Sequence, residues 1–85
     1  MKGKRRMEIT QEVLKVLQEV KPGFDFAGQS DWVDSGSLDS FDVIQIVAEL
    51  NEAFDIDIPV EAIVPENFNS LETVETLVAS LLEDE

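Results

Sequence analysis

Ser40 is the residue of this chain best placed to take part in chemistry. It stands in the run Asp39-Ser40-Phe41-Asp42, where the pattern predicts the start of a helix. The unpaired N–H groups and the positive dipole end of a helix start favour an anion. An exposed anionic group on the Ser40 oxygen would gain about 0.3–1 kcal/mol there. Asp39 and Asp42 oppose that gain with their own charge, so their expected roles are capping and recruitment of a basic modifying enzyme. Taken alone, a serine at this place is more often a plain helix cap. Self-activation is a poor prospect, because a carboxylate is a weak base for an alcohol. The sequence has no histidine and no cysteine, which removes the commonest general base, the commonest metal ligand and any thiolate nucleophile. An active site would have to be assembled from Asp, Glu, Ser and Lys alone, so no enzyme is expected. Asp55, Asp57 and Glu61 invite a calcium reading, but the EF-hand pattern with its central glycine is absent, and no metal site is expected.

Four helical segments must position Ser40. The first is predicted from Glu8 to Val20, where Ile9, Val13, Leu14, Val16, Leu17 and Val20 recur at helical spacing. Thr10 could cap a slightly later start, with Ile9 and Leu14 as a hydrophobic staple. Lys21-Pro22-Gly23 ends it. A long connection to Asp39 follows, and its apolar residues Phe24, Phe26, Trp32, Val33 and Leu38 imply that it is ordered across the helices. Asp34-Ser35-Gly36-Ser37 is a turn signal. The second helix is predicted from Ser40 to Phe54, with Asp39 as N-cap and Asp42 as the acidic member of a capping box. A short third helix is expected over Val60 to Val64, stopped by Pro65, and a fourth from Leu71 to Leu82, capped by Ser70. No segment reads as a strand. The expected fold is all-α, a small bundle of three main helices plus one short helix.

The second helix carries more apolar residues than a core face needs. With Asp42 at zero and 100° per residue, Ile46, Leu50, Val43, Phe54 and Val47 span roughly 40° to 140° and form the core arc. Asp42, Gln45, Glu49 and Glu52 fall between roughly 280° and 360°. Phe41, Ile44 and Ala48 lie outside the core arc, at about 200° to 260°. An apolar patch beside a carboxylate row fits a partner whose hydrophobic pocket is ringed by Arg and Lys. The alternative is that Phe41 and Ile44 pack beneath the long connection.

Charge points the same way. Nineteen acidic residues face six basic ones, a formal net charge of -13, and no Lys or Arg follows Lys21. Such a surface repels nucleic acid and anionic lipid and attracts basic proteins. The first seven residues read as a basic, disordered tail and residues 8–85 as one domain. Neither a signal peptide nor a membrane span is expected, and the lack of cysteine is consistent with a cytoplasmic location.

Leu38-Asp39-Ser40-Phe41-Asp42 resembles the attachment motif of acyl carrier proteins, Asp-Ser-Leu with a following acid. Phe54-Asp55-Ile56-Asp57-Ile58-Pro59 resembles the end of the same family's second helix. The resemblance runs from about Glu8 to Leu82. Phenylalanine after the serine departs from the common leucine, and Leu-Asp-Ser-Phe, Pro59-Val60 and Phe68-Asn69-Ser70 look similar to D-alanine carrier proteins. That departure puts a role in fatty acid synthesis in doubt. The resemblance implies 4'-phosphopantetheine attached covalently to Ser40, beside Asp39, by a separate phosphopantetheinyl transferase. It implies a monomeric carrier that holds acyl or aminoacyl groups as thioesters and meets an adenylating ligase, or an acyl synthase or transferase, with a basic docking surface. The docking residues carried over are Phe41, Asp42, Ile44, Gln45, Ala48, Glu49, Glu52 and Glu61, with Ile58 and Ile63 more loosely. The competing expectation is an unmodified acidic helical adaptor for a basic protein partner.

Overall fold

The computed structural model describes residues 6–83. Three helices make the bundle: α1 (Arg6–Val20), α2 (Ser40–Phe54) and α3 (Leu71–Glu83), with two single 3-10 turns, Val60–Ala62 and Pro65–Asn67, between α2 and α3. No strand occurs among the described residues. The all-α bundle expected from the pattern is the fold found.

Helix α1 packs against both α2 and α3. Val13 and Leu17 from α1, Ile46 and Leu50 from α2, and Val74 and Val78 from α3 meet in one core and are almost wholly buried. The connections complete that core. Phe26, Trp32 and Leu38 from the long loop and Phe68 from the second connection are buried to the same degree. Burying side chains of this size contributes roughly 1.5–3 kcal/mol each, which a domain of this length needs.

The long loop is ordered for the reason its composition suggested. Phe24 meets Phe26 edge to face at 4.7 Å between centroids, and Phe26 meets Trp32 in the same manner at 5.0 Å. The Trp32 indole N–H, buried with its ring, donates to the Gln29 carbonyl at 2.9 Å. At the exit of α1 the backbone turns through Gly23, whose φ of +89 strongly favours glycine there. The Gln18 side chain closes that turn, donating to the Phe24 carbonyl at 2.9 Å and accepting the Gly23 N–H at 3.3 Å.

Two expectations need correction. Helix α1 begins at Arg6, so Thr10 lies a turn inside it and caps nothing; its hydroxyl instead donates to Glu75 of α3. The staple of Ile9 and Leu14 falls with that cap, and both residues serve the core instead. The short helix expected over Val60 to Val64 is two separate 3-10 turns, because Pro65, at the first position of its own turn, holds Val64 in extended backbone. The tail expected over the first seven residues lies largely outside the described residues, though Met7 belongs to α1.

Candidate functional site

Ser40 is the first residue of α2 and is exposed. The residue before it fixes the helix start. Asp39 adopts extended backbone, its Oδ1 accepts the Asp42 N–H at 2.9 Å, and Asp42 Oδ2 accepts the Asp39 N–H at 3.3 Å. This reciprocal box is the one the sequence spacing predicted. The N–H groups of Ser40 and Phe41 precede any intrahelical acceptor, so the positive end of α2 faces the Ser40 hydroxyl.

The approach to Ser40 is equally defined. Leu38 is buried, and its N–H donates to the Trp32 carbonyl at 2.9 Å. Gly36, with φ of +88, turns the chain between the aromatic segment and the cap. Lys21, at the end of α1, donates to the Ser37 carbonyl and lies 3.9 Å from Asp42 Oδ2 and 5.7 Å from the centre of the Phe24 ring. One cation thus ties α1 to the segment before Ser40 and offsets part of the local negative charge.

The side of α2 turned away from the core is exposed and carries both apolar and acidic residues. Phe41 is 83% exposed and Ile44 61% exposed, so neither packs beneath the loop. Gln45, Ala48 and Glu52 are exposed beside them, and Asp42 and Glu49 are half-buried. Glu61 is exposed on the first 3-10 turn. Ile58, grouped loosely with this face, is buried at 5% exposure and belongs to the core, while Ile63 is half-buried against it. Val60, which sequence reasoning passed over, is 81% exposed.

An open groove of about 480 Å³ runs beside Ser40. Its lining comes from three parts of the chain: Val33, Gly36 and Leu38 of the loop, Asp39, Ser40, Val43 and Ile44 at the start of α2, and Ile63, Val64 and Pro65 of the second connection. It is mainly apolar and was not foreseen from the sequence, since its walls come from segments without periodic pattern. No group of three or more metal-ligating side chains occurs among the described residues. No described helix is long and apolar enough to cross a membrane.

The structure thus places an exposed serine at the positive end of a helix, beside a capping carboxylate and an apolar groove. Residues 7–81 match the family described as the phosphopantetheine attachment site, and the chain belongs to that family. It is 35% identical to aminoacyl carrier protein 1 of Bradyrhizobium diazoefficiens over 78 residues, covering 92% of this chain and 86% of that one. It is 32% identical to the D-alanyl carrier protein of Streptococcus mutans over 65 residues, covering 75% of this chain and 82% of that one. No solved structure matches it significantly. The chain is therefore a phosphopantetheine-bearing carrier of the acyl carrier protein family, not a catalyst, and a separate transferase installs the arm. The residues present fit such a group: a reachable hydroxyl, a helix end that favours its phosphate, and an apolar channel alongside.

Proposed function

We propose that Ser40 is the serine that bears 4'-phosphopantetheine and that this carrier delivers an aminoacyl group loaded by an adenylating ligase. The observation that carries the assignment is the exposed Ser40 hydroxyl at the first position of α2, held there by the box of Asp39 and Asp42. The names of both relatives, aminoacyl and D-alanyl carrier proteins, support an aminoacyl cargo over a long fatty chain.

The chain's own residues have limited and specific tasks. Ser40 Oγ attacks the pantetheine-side phosphorus of the coenzyme A pyrophosphate, the bridging P–O bond breaks and adenosine 3',5'-bisphosphate leaves. The serine proton passes to a base on the transferase, since Asp39 and Asp42 are poor bases for an alcohol. The end of α2 stabilises the phosphodiester left on Ser40. When bound, the arm supplies a terminal thiol on which cargo is held as a thioester. Phe41 and Ile44 supply contact area to transferase and ligase, while Asp42, Glu49, Glu52 and Glu61 steer basic partners towards it. The carrier acts as a monomer in the cytoplasm. Because the arm is tethered, each docked partner meets its cargo at high effective concentration.

Intact mass after incubation with coenzyme A, Mg²⁺ and a broad-specificity phosphopantetheinyl transferase tests the assignment. The expected result is one phosphopantetheinyl gain in the wild type and none in Ser40→Ala. A gain that persists in Ser40→Ala moves the site to another serine, and a folded wild type that takes no arm restores the unmodified adaptor. The loaded protein, offered to adenylating ligases with a panel of amino and carboxylic acids, then names the cargo.

A further inference from the structure

Asn67, Phe68 and Asn69 are consecutive, and each holds a different part of the molecule. Phe68 is wholly buried and anchors the segment in the core. Asn67 Nδ2 donates to the Ala62 carbonyl at 2.8 Å, closing the link that carries Ile63, Val64 and Pro65. Those three residues are one part of the lining of the groove beside Ser40. The Asn67 N–H adds a second tie, to the Val64 carbonyl at 3.0 Å.

Asn69 reaches the loop part of the lining. Its Oδ1 accepts the N–H groups of Val33 at 2.9 Å and Asp34 at 3.2 Å, and its Nδ2 donates to Asp34 Oδ2 at 3.0 Å. Its carbonyl accepts the Trp32 N–H at 3.0 Å. Val33 lines the groove, and the Trp32 carbonyl in turn receives the Leu38 N–H just before the cap. A side chain with two acceptor lone pairs and two donors can make this set of contacts; no apolar residue of its size can.

We propose that Asn67-Phe68-Asn69 is a bracket that sets the width of the groove beside Ser40, with Asn69 as a positioning residue for the attached arm. The proposal rests on the reading of Ser40 as the attachment serine. Asn69 acts through Val33 and Trp32, and none of its hydrogen bonds goes to Ser40. Its side-chain bonds go to the half-buried Val33 and the exposed Asp34. Their loss therefore frees the loop part of the lining while the contacts among α1, α2 and α3 persist, and Phe68 still anchors the segment.

The test compares apo and arm-bearing protein by backbone amide chemical shifts and hydrogen exchange, alongside the rate of arm transfer. In the wild type, attachment shifts the amides of Val33, Ile63 and Val64. In Asn69→Ala, exchange at Val33 and Asp34 should rise roughly tenfold as their bonds are lost. The attachment-induced shifts should fall by about half, and kcat for arm transfer should drop roughly fivefold with KM for the carrier little changed, as expected for lost alignment. Asp34→Asn combined with Asn69→Asp reverses the polarity of the contact between the two side chains and should restore all three readouts. Asn67→Ala should move Ile63 and Val64 and leave Val33 as it was, and it carries the test with the paired variant if Asn69→Ala fails to fold. An arm-bearing wild type whose shifts and transfer rate match those of folded Asn69→Ala overturns the bracket alone, as does a folded paired variant without rescue. A wild type that takes no arm at Ser40 overturns the parent assignment as well.

Discussion

Helices α2 and α3 are built from similar material and spend it differently. They have 15 and 13 residues, each has an acid in its first turn, and neither has a basic residue in its last. In α3 the apolar content goes to the fold: Val74 and Val78 are buried, and Leu71, Leu77, Leu81 and Leu82 pack half-buried against the core. In α2 five apolar residues, Val43, Ile46, Val47, Leu50 and Phe54, are already buried, and Phe41 and Ile44 are left in solvent. Single exposed apolar residues are ordinary on protein surfaces. Two of them three residues apart, on the first turns of the helix that begins with Ser40 and beside a row of acids, form a contiguous apolar patch. The difference teaches that the bundle leaves this surplus on α2 unburied, as the proposed docking face requires.

The sharpest way to break this contrast is to shorten a residue from each class on α2. Ile46→Ala should cost about 2–5 kcal/mol by leaving a cavity in the core. Against a total of about 5–15 kcal/mol for a domain, that is a large share, read as a lower midpoint in urea unfolding with slope unchanged. Phe41→Ala should stay within about 0.5 kcal/mol of the wild type in the same experiment. Equal losses would mean that Phe41 is a packing residue and that the two helices are alike after all.

Binding tells the other half. Phe41→Ala and Ile44→Ala should each weaken binding to the phosphopantetheinyl transferase by about 1–2 kcal/mol, roughly 5- to 30-fold in Kd. Calorimetric titration measures this directly, and Glu72→Ala on α3 serves as the control that leaves Kd in place. A Kd that ignores both apolar truncations confines docking to other parts of the surface.

Much of this arrangement was legible in the sequence, for reasons specific to its residues. The bounds of α2 and its capping box followed from Asp39, Asp42 and the spacing of Val43, Ile46, Val47, Leu50 and Phe54, all of which are local signals. The angular separation of Phe41 and Ile44 from that core arc also followed from one helix alone. The segment from Val60 to Asn67 was less legible, because Pro65 splits what reads as one short helix into two turns. The groove and the roles of Asn67 and Asn69 had no signal of this kind. Asn69 bonds to residues 35 and 36 positions away, and a single polar side chain aimed at a distant backbone leaves no period to detect. Thr10 misled for the opposite reason: a good cap residue sat inside a helix whose start lay among basic residues that give weak start signals.

The acids of α2 should contribute least to affinity and most to rate. Glu49→Lys places a positive charge in the row of Asp42, Gln45 and Glu52, and association with a basic transferase should slow by about 3- to 10-fold at low salt. Glu72→Lys on α3 changes the net charge by the same amount and serves as the comparison, since it separates position from sum. Its effect should be smaller, because a charge far from the docking face acts across more solvent. Stopped-flow association measured from low salt to 1 M, where the Debye length falls to about 3 Å, should bring both variants and the wild type together. Equal slowing by the two lysines would assign steering to the overall charge of -13 rather than to the α2 row. Rates that do not change with salt would remove the acids from recognition and leave Phe41 and Ile44 to account for it alone.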